Sequence, residues 1–338
     1  MQRTISALNG FIEKYIIYLF VSCIFIGLLL GDRLSFVGSA VQIFLIFMVS
    51  FTATLKITFS RFKASVNIPL LILMFIFTQL LYPAVVWLYC RLFYSNGGIL
   101  NDFGVGIMLI YSIPCAVSLA IWVILARGDA GLSFVFVVLD NLLGFMLTPV
   151  LMKLYCGQSV EFNSLAMMGS LFIQVILPSF LGILVSTVDE KLSKGKPEMY
   201  LDKPLPYIKL LSKVCLFGLV TISSSRSATS LFNTLSWKYL GLVFSCAFLN
   251  FFSFVLSSVI FLSLRKALKI DRKSVVAATY GCSMKNCGTA TVFAGMYLPP
   301  LAIVPCVIDL IEINIVASMY TKLFDKVVKE DPECQSEC

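Results

Sequence analysis

Apolar runs of about 18 or more residues, the length that crosses a bilayer as a helix, recur along this chain from its start almost to its end. They are too many to hide in one soluble core, so the expected fold is an all-α polytopic membrane protein. Charge agrees: 13% of the 338 residues are charged, where soluble domains carry about a quarter. The longest polar stretches, 188–207 and the tail at 326–338, are too short to bury a core. That leaves 1–338 as a single membrane domain. The net charge of +8 is spread over loops and does not cluster on one polar module, so a bilayer and not a nucleic acid is the expected partner.

Other chemistry is excluded by what is missing. There is no histidine, which removes a His-ligated metal, a His-based triad and a His proton relay. No HExxH and no Ser–base spacing points to an enzyme, and no cofactor is expected. Eleven cysteines lack metal-ligand spacing, and most lie in apolar runs, where a thiol behaves as a small hydrophobe. The first 31 residues lack a small-residue cleavage site and read as a retained helix.

The spans fall at about 15–31, 37–55, 68–90, 104–126, 132–154, 165–187, 208–224, 239–264, 274–296 and 299–320, with the usual looseness at boundaries. The seventh is the weakest, being short and followed by the polar Ser223–Ser227. Ten spans put both termini on one side. That side holds 20 Lys and Arg and the opposite loops hold 5, with Lys285 inside span 9. The positive-inside rule then makes both termini cytoplasmic, in a plasma or bacterial inner membrane.

Five spans per half insert in opposite orientations, the inverted-repeat design of many carriers. Span 4 contains Pro114, and proline removes a helical donor and clashes with the preceding turn. Span 9 contains the polar, glycine-flanked run Gly281–Thr289. These are the fourth helices of their halves, so they are expected to break and cross at the midplane. Asp140 and Asp309 stand 169 residues apart, and Gln79 and Asn250 stand 171 apart, which fits two matching halves.

Ionisable residues inside spans are costly and tend to face a partner or a wet cavity. Asp140, Lys285, Asp309 and Glu312 are such residues. One lysine against three carboxylates leaves negative charge to be protonated, hydrated or paired with a cation. Asp309 and Glu312, three apart, share a helix face. Gln79, followed by Pro83, either meets a solute or binds the next helix. Cys115 either meets a soft ligand or packs as an apolar thiol. Ser118 and Ser133 can bond their own helix backbone. Arg127-Gly128-Asp129 reads as a tight turn with Asp129 capping span 5.

Phe47–Lys56, Gln79–Pro83, Gly104–Pro114, Leu125–Ser133, Asn141–Gly144, Leu147–Pro149 and Met284-Lys285-Asn286 together resemble the bile acid:sodium symporter family over nearly the whole chain. The resemblance implies a panel of spans 1, 2, 6 and 7 and a core of spans 3–5 and 8–10, with helices 4 and 9 crossed. It also implies carriage of organic anions, often with sodium. The departures are informative. Positions corresponding to the family's sodium ligands hold Leu119, Ala120, Val137, Gly281 and Lys285, while Gln79, Ser133 and Met284 remain. Lys285 could therefore stand where a sodium ion would.

The expected function is a secondary transporter of a small solute, an organic anion, working by alternating access. Pro114, Ser283, Lys285, Asn286 and Asn141 lie at the crossing. Lys285 and the half-helix N-termini would attract the anion, while Asp140 and Glu312 would take a proton or balance Lys285. Coupling to sodium or to protons both stay open. The alternatives are an arsenite-type efflux carrier using Cys115, whose span 4 likeness includes Trp122 and whose span 10 likeness is Glu312, or a non-transporting membrane sensor or scaffold.

Overall fold

Nearly every apolar run becomes helix in the computed structural model, which describes residues 2–34, 36–55, 67–116, 118–157, 159, 169, 172–193, 200–233 and 238–329. The tail at 330–338, with Cys334 and Cys338, lies outside the described residues, as do most of the first residues of span 6. An amphipathic α1 (Gln2–Lys14) precedes α2 (Ile16–Leu30) and α3 (Ser39–Thr54). Then come α4 (Ile68–Ile76), a π turn (Phe77–Leu81) and α5 (Tyr82–Phe93). A two-residue hairpin, Ser95–Asn96 with Ile99–Leu100, leads to α6 (Asp102–Ser112), α7 (Leu119–Leu125) and α8 (Ala130–Cys156). A second π turn (Phe172–Ile176) opens α9 (Leu177–Leu192). The chain ends with α10 (Leu205–Asn233), α11 (Lys238–Leu268), α12 (Arg272–Ser283), α13 (Cys287–Tyr297) and α14 (Ile303–Lys329).

Among the described residues, five helices are long and apolar enough to cross a membrane: Ile68–Phe93, Phe172–Leu192, Leu205–Ile222, Leu240–Leu268 and Pro300–Phe324. A sixth is α8, if its halves Ala130–Gly144 and Met146–Cys156, meeting at 58°, form one span. Pro149 in α8 has no N–H for the carbonyl four residues back, which accounts for the bend. Span 7 falls close to its expected place, at Leu205–Ile222, but its helix does not stop there and runs through the Ser223–Ser227 stretch to Asn233. Ser224 and Ser225 are buried there, and Ser225 Oγ donates to the carbonyl of Gly31. Serines that face a neighbouring backbone do not end a helix.

Polar caps mark where helices begin. Asn67, Asn101, Asp129, Asp271 and Asn286 each accept a backbone N–H three residues on, at 2.8–3.2 Å. Each satisfies one orphan donor, worth about 0.5–2 kcal/mol. Asp129 therefore caps span 5 as expected, after Arg127 at φ 57°.

Packing divides the helices by neighbour. α10 packs on α2 and α3, and α3 packs on α9. Further, α11 packs on α12 and α14, α6 on α5, α8 and α14, and α13 on α14, while α13 also meets α10. The amphipathic α1 is tied to the start of α10 by Asn9 Nδ2 donating to the Pro206 carbonyl at 2.8 Å.

Candidate functional site

The two predicted breaks are real and lie against each other. Ile113 is extended (φ −81°, ψ 150°), as the residue before a proline must be, and this ends α6. Met284 is extended too (φ −84°, ψ 103°). The two segments pair antiparallel around Cys115 and Lys285. Ala116 N donates to Met284 O at 2.9 Å, and Asn286 N donates to Pro114 O at 3.0 Å.

Broken helices free carbonyls that must be satisfied when water is excluded. Four consecutive ones are satisfied here. Ser112 O accepts from Thr148 Oγ1 at 2.8 Å, Ile113 O from Lys285 Nζ at 3.1 Å, Pro114 O from Asn286 N, and Cys115 O from Asn141 Nδ2 at 3.3 Å. Lys285 Nζ also donates to Thr78 O at 3.0 Å. That carbonyl is free for a reason legible in the chain. In the π turn Tyr82 N bonds Phe77 O, so the next partner in register, for Thr78 O, would be Pro83, which has no N–H. Asp140 joins the same knot, accepting from Gln79 Nε2 at 2.8 Å and Cys115 N at 2.7 Å, with Lys285 as its electrostatic neighbour. Gly144 allows the close approach: a Cβ there would lie 2.6 Å from Gln79 Nε2 and 2.8 Å from Pro114 Cγ.

A second knot has the same parts. Asn250 Nδ2 donates to Asp309 Oδ1 at 2.6 Å, and Cys287 Sγ donates to Asp309 Oδ2 at 2.8 Å. Tyr111 OH donates to Asn250 Oδ1 at 3.2 Å, linking α6 to α11. Cys287 stands 172 residues after Cys115, close to the offsets of the Gln79/Asn250 and Asp140/Asp309 pairs.

Beside the crossing lies a cavity of about 510 Å³, within the range of small-molecule sites. One wall comes from α3, the start of α9 and α10, including Ile46, Val49, Leu219 and Val220. The other comes from α7, α8, α14 and the α13 N-terminus, including Trp122, Val138 and Ile313. The lining is mostly apolar. Its polar members include Ser118, Asn141, Asn286, Thr289 and Asn314.

The predicted residues separate into groups. Ser118, Asn141 and Asn286 line the cavity. Gln79, Asp140, Pro114 and Cys115 are in the crossing and buried. Lys285 is a correction in one respect: its residue borders the cavity, but the side chain is 1% exposed and its ammonium donates to two carbonyls at the crossing, so attraction of an anion loses support while standing where a sodium ion would does not. Glu312 is another: its charged neighbour is Asp309, not Lys285. Asp309 is fully buried. Ser133 Oγ bonds Ala130 O within its own helix at 2.8 Å, and Ser283 Oγ meets Ser257 Oγ at 2.9 Å. Both stand apart from the cavity lining. Thr78, Thr148, Thr54 and Asn314 were not anticipated. Only the Pro83-shifted turn signalled the first of them; the others are single polar residues on apolar helices, with no pattern to find.

Three of the positions that depart from the family's sodium ligands are packed by apolar groups. At Gly281 a Cβ would lie 2.7 Å from Met74 Cε and 2.9 Å from the Phe136 ring. Apolar side chains therefore occupy the space a glutamate would need. Leu119 and Ala120 are buried hydrophobics, and neither side chain offers an oxygen to a cation.

Known proteins place the chain among membrane transporters by sequence. The chain is 23% identical over 280 residues to the Bacillus subtilis protein YbaS, covering 82% of this chain and 86% of that one. It is 26% identical to the B. subtilis protein named as a sodium-dependent transporter, YocS, over 68% and 66%. It is 28% identical to the mouse sodium/bile acid cotransporter 7 over 40% of each chain. The sequence model of the SBF-like CPA transporter family matches residues 15–325. The chain, a membrane transporter and not an enzyme, belongs to the SBF-like CPA transporter family.

Proposed function

We propose that this protein is a secondary transporter of amphipathic organic anions, built from ten spans in two inverted halves. Spans 1, 2, 6 and 7 form a panel, and spans 3–5 and 8–10 form a core that rocks against it. The observation that carries this reading is the apolar cavity between α3, α9 and α10 on one side and the crossing on the other. The α13 N-terminus borders it, and the aligned N–H groups there favour negative charge. A solute with an apolar body and one anionic group suits that division. The names of YocS and the mouse cotransporter support an ion-coupled carrier in general.

Sodium coupling at the crossing is disfavoured by the residues themselves. A hard cation needs several oxygen ligands in one place. Here the carbonyls of Thr78 and Ile113 are taken by Lys285, and the room at Gly281 is filled by Met74 and Phe136. The lysine acts as a built-in cation that holds the two broken helices together, and coupling falls to protons or is absent. The arsenite reading loses support because Cys115 is fully buried and its thiol engages Asp140, outside the cavity lining. A scaffold without a cavity is also disfavoured.

The test is a thermal-shift screen of organic anions and cations, followed by uptake of the stabilising compounds into proteoliposomes. Anions and not cations are expected to be taken up, and Ser118→Trp, which intrudes on the cavity, is expected to abolish uptake while the protein remains folded. Uptake of cations alone, or uptake indifferent to Ser118→Trp, would contradict the assignment.

A further inference from the structure

The two carboxylate knots differ in one respect. Asp140 has a cation beside it, Lys285. Asp309 has none: the side chains acting on it are Cys287 and Asn250, and the charge acting on Glu312 is Asp309. Two carboxylates thus sit together in the apolar core without a basic side chain among the described residues. Oε2 of Glu312 is buried with no hydrogen-bond partner. Cys246 of α11 completes the group, its sulfur and one oxygen each from Asp309 and Glu312 lying within 4.8 Å of one another. Cys287 Sγ is 2.8 Å from Asp309 Oδ2.

We propose that Cys246, Asp309 and Glu312, with Cys287 as fourth donor, bind one divalent cation of the borderline-soft class, of which Zn²⁺ is the type. Two sulfurs and two carboxylate oxygens make a donor set suited to a tetrahedral ion. Metal–ligand bonds of about 2.0–2.3 Å set neighbouring donors roughly 3.5 Å apart, so Cys246, Asp309 and Glu312 need close by only about 1 Å, and Cys287 enters from beside Asp309. Ligation requires each thiol to give up its proton to solvent; Cys287 then exchanges its hydrogen bond to Asp309 for a shared ion. Asn250, anchored by Tyr111, holds the carboxylate of Asp309 in orientation. Entry is available because Cys287 borders the cavity and Glu312 is half-buried. The ion supplies the positive charge that Lys285 supplies to the other knot. It would also tie α11, α13 and α14 together, making it a brake on movement of the core helices.

The experiment is titration of the full-length protein in lipid nanodiscs with Co²⁺, then displacement by Zn²⁺. Cys334→Ser and Cys338→Ser remove the tail thiols beforehand. One Co²⁺ per chain with thiolate-to-cobalt charge-transfer absorption is expected. Cys246→Ser should weaken that absorption, and Glu312→Gln should reduce affinity at least about ten-fold, no less than the loss of an outer support to a metal ligand causes. Absence of stoichiometric binding, absence of the thiolate band, or equal affinity in Glu312→Gln would overturn the proposal. Should Cys246→Ser fail to fold, Glu312→Gln decides alone, since Glu312 is half-buried and its Oε2 has no partner to lose.

Discussion

Lys285 shows how one side chain can be both costly and necessary. A buried ammonium is expensive, yet this one answers two carbonyls that the chain itself orphans, one through Pro114 and one through the Pro83-shifted π turn. Each buried carbonyl left without a donor costs about 1–3 kcal/mol. Lys285→Met is therefore expected to lower stability by that order, read as a fall in melting temperature, even though it removes a buried charge. An unchanged or raised melting temperature would mean the carbonyls find other donors. The cost, the single lysine and the carboxylate surplus were legible in the sequence. The direction of the ammonium was not, because spacing along a helix does not say which of two crossing segments a four-carbon side chain will reach. For the same reason the Cys246–Asp309–Glu312 group was only half legible: the spacing of three puts Asp309 and Glu312 on one helix face, but Cys246 comes from another helix and no linear spacing joins it to them.

At the scale of elements, the α13 N-terminus has two separable tasks. Asn286 Oδ1 accepts Thr289 N at 3.2 Å and also borders the cavity. Asn286→Ala should cost about 0.5–2 kcal/mol of stability as a lost cap. Asn286→Asp keeps a competent cap but places negative charge where the anion is proposed to sit. It should melt like the wild type and take up anions poorly, a split that a purely structural asparagine would not give. The broken helices themselves were readable from Pro114 and from the polar run in span 9. The extension of α10 to Asn233 was not, because a run of serines looks like a loop until a neighbouring backbone is there to receive them. The π turns have a local cause in Pro83 and Pro178, but a proline alone predicts a kink without saying how the ladder rearranges.

For the whole molecule, the 20-to-5 division of basic residues predicts that tags at both termini are reached only from the cytoplasmic side; a tag protected there would remove the ten-span map. The two knots of amide, carboxylate and cysteine recur at nearly constant offsets, as the proposed inverted halves require, and among the described residues only the first has a basic side chain beside its carboxylate. The central claim is that Lys285 takes the place of sodium at the crossing. It is tested most directly by melting the purified protein in sodium chloride and in choline chloride, with Lys285→Gln alongside. A ligand at 100 times its dissociation constant stabilises the state that binds it by about 2.7 kcal/mol, a readable shift. No difference between the salts is expected for the wild type, and a sodium-specific gain is expected in Lys285→Gln, where Thr78 O, Ile113 O and Asp140 are released. A sodium-specific rise in the wild type would contradict it and make this protein an ordinary sodium-coupled member of its family.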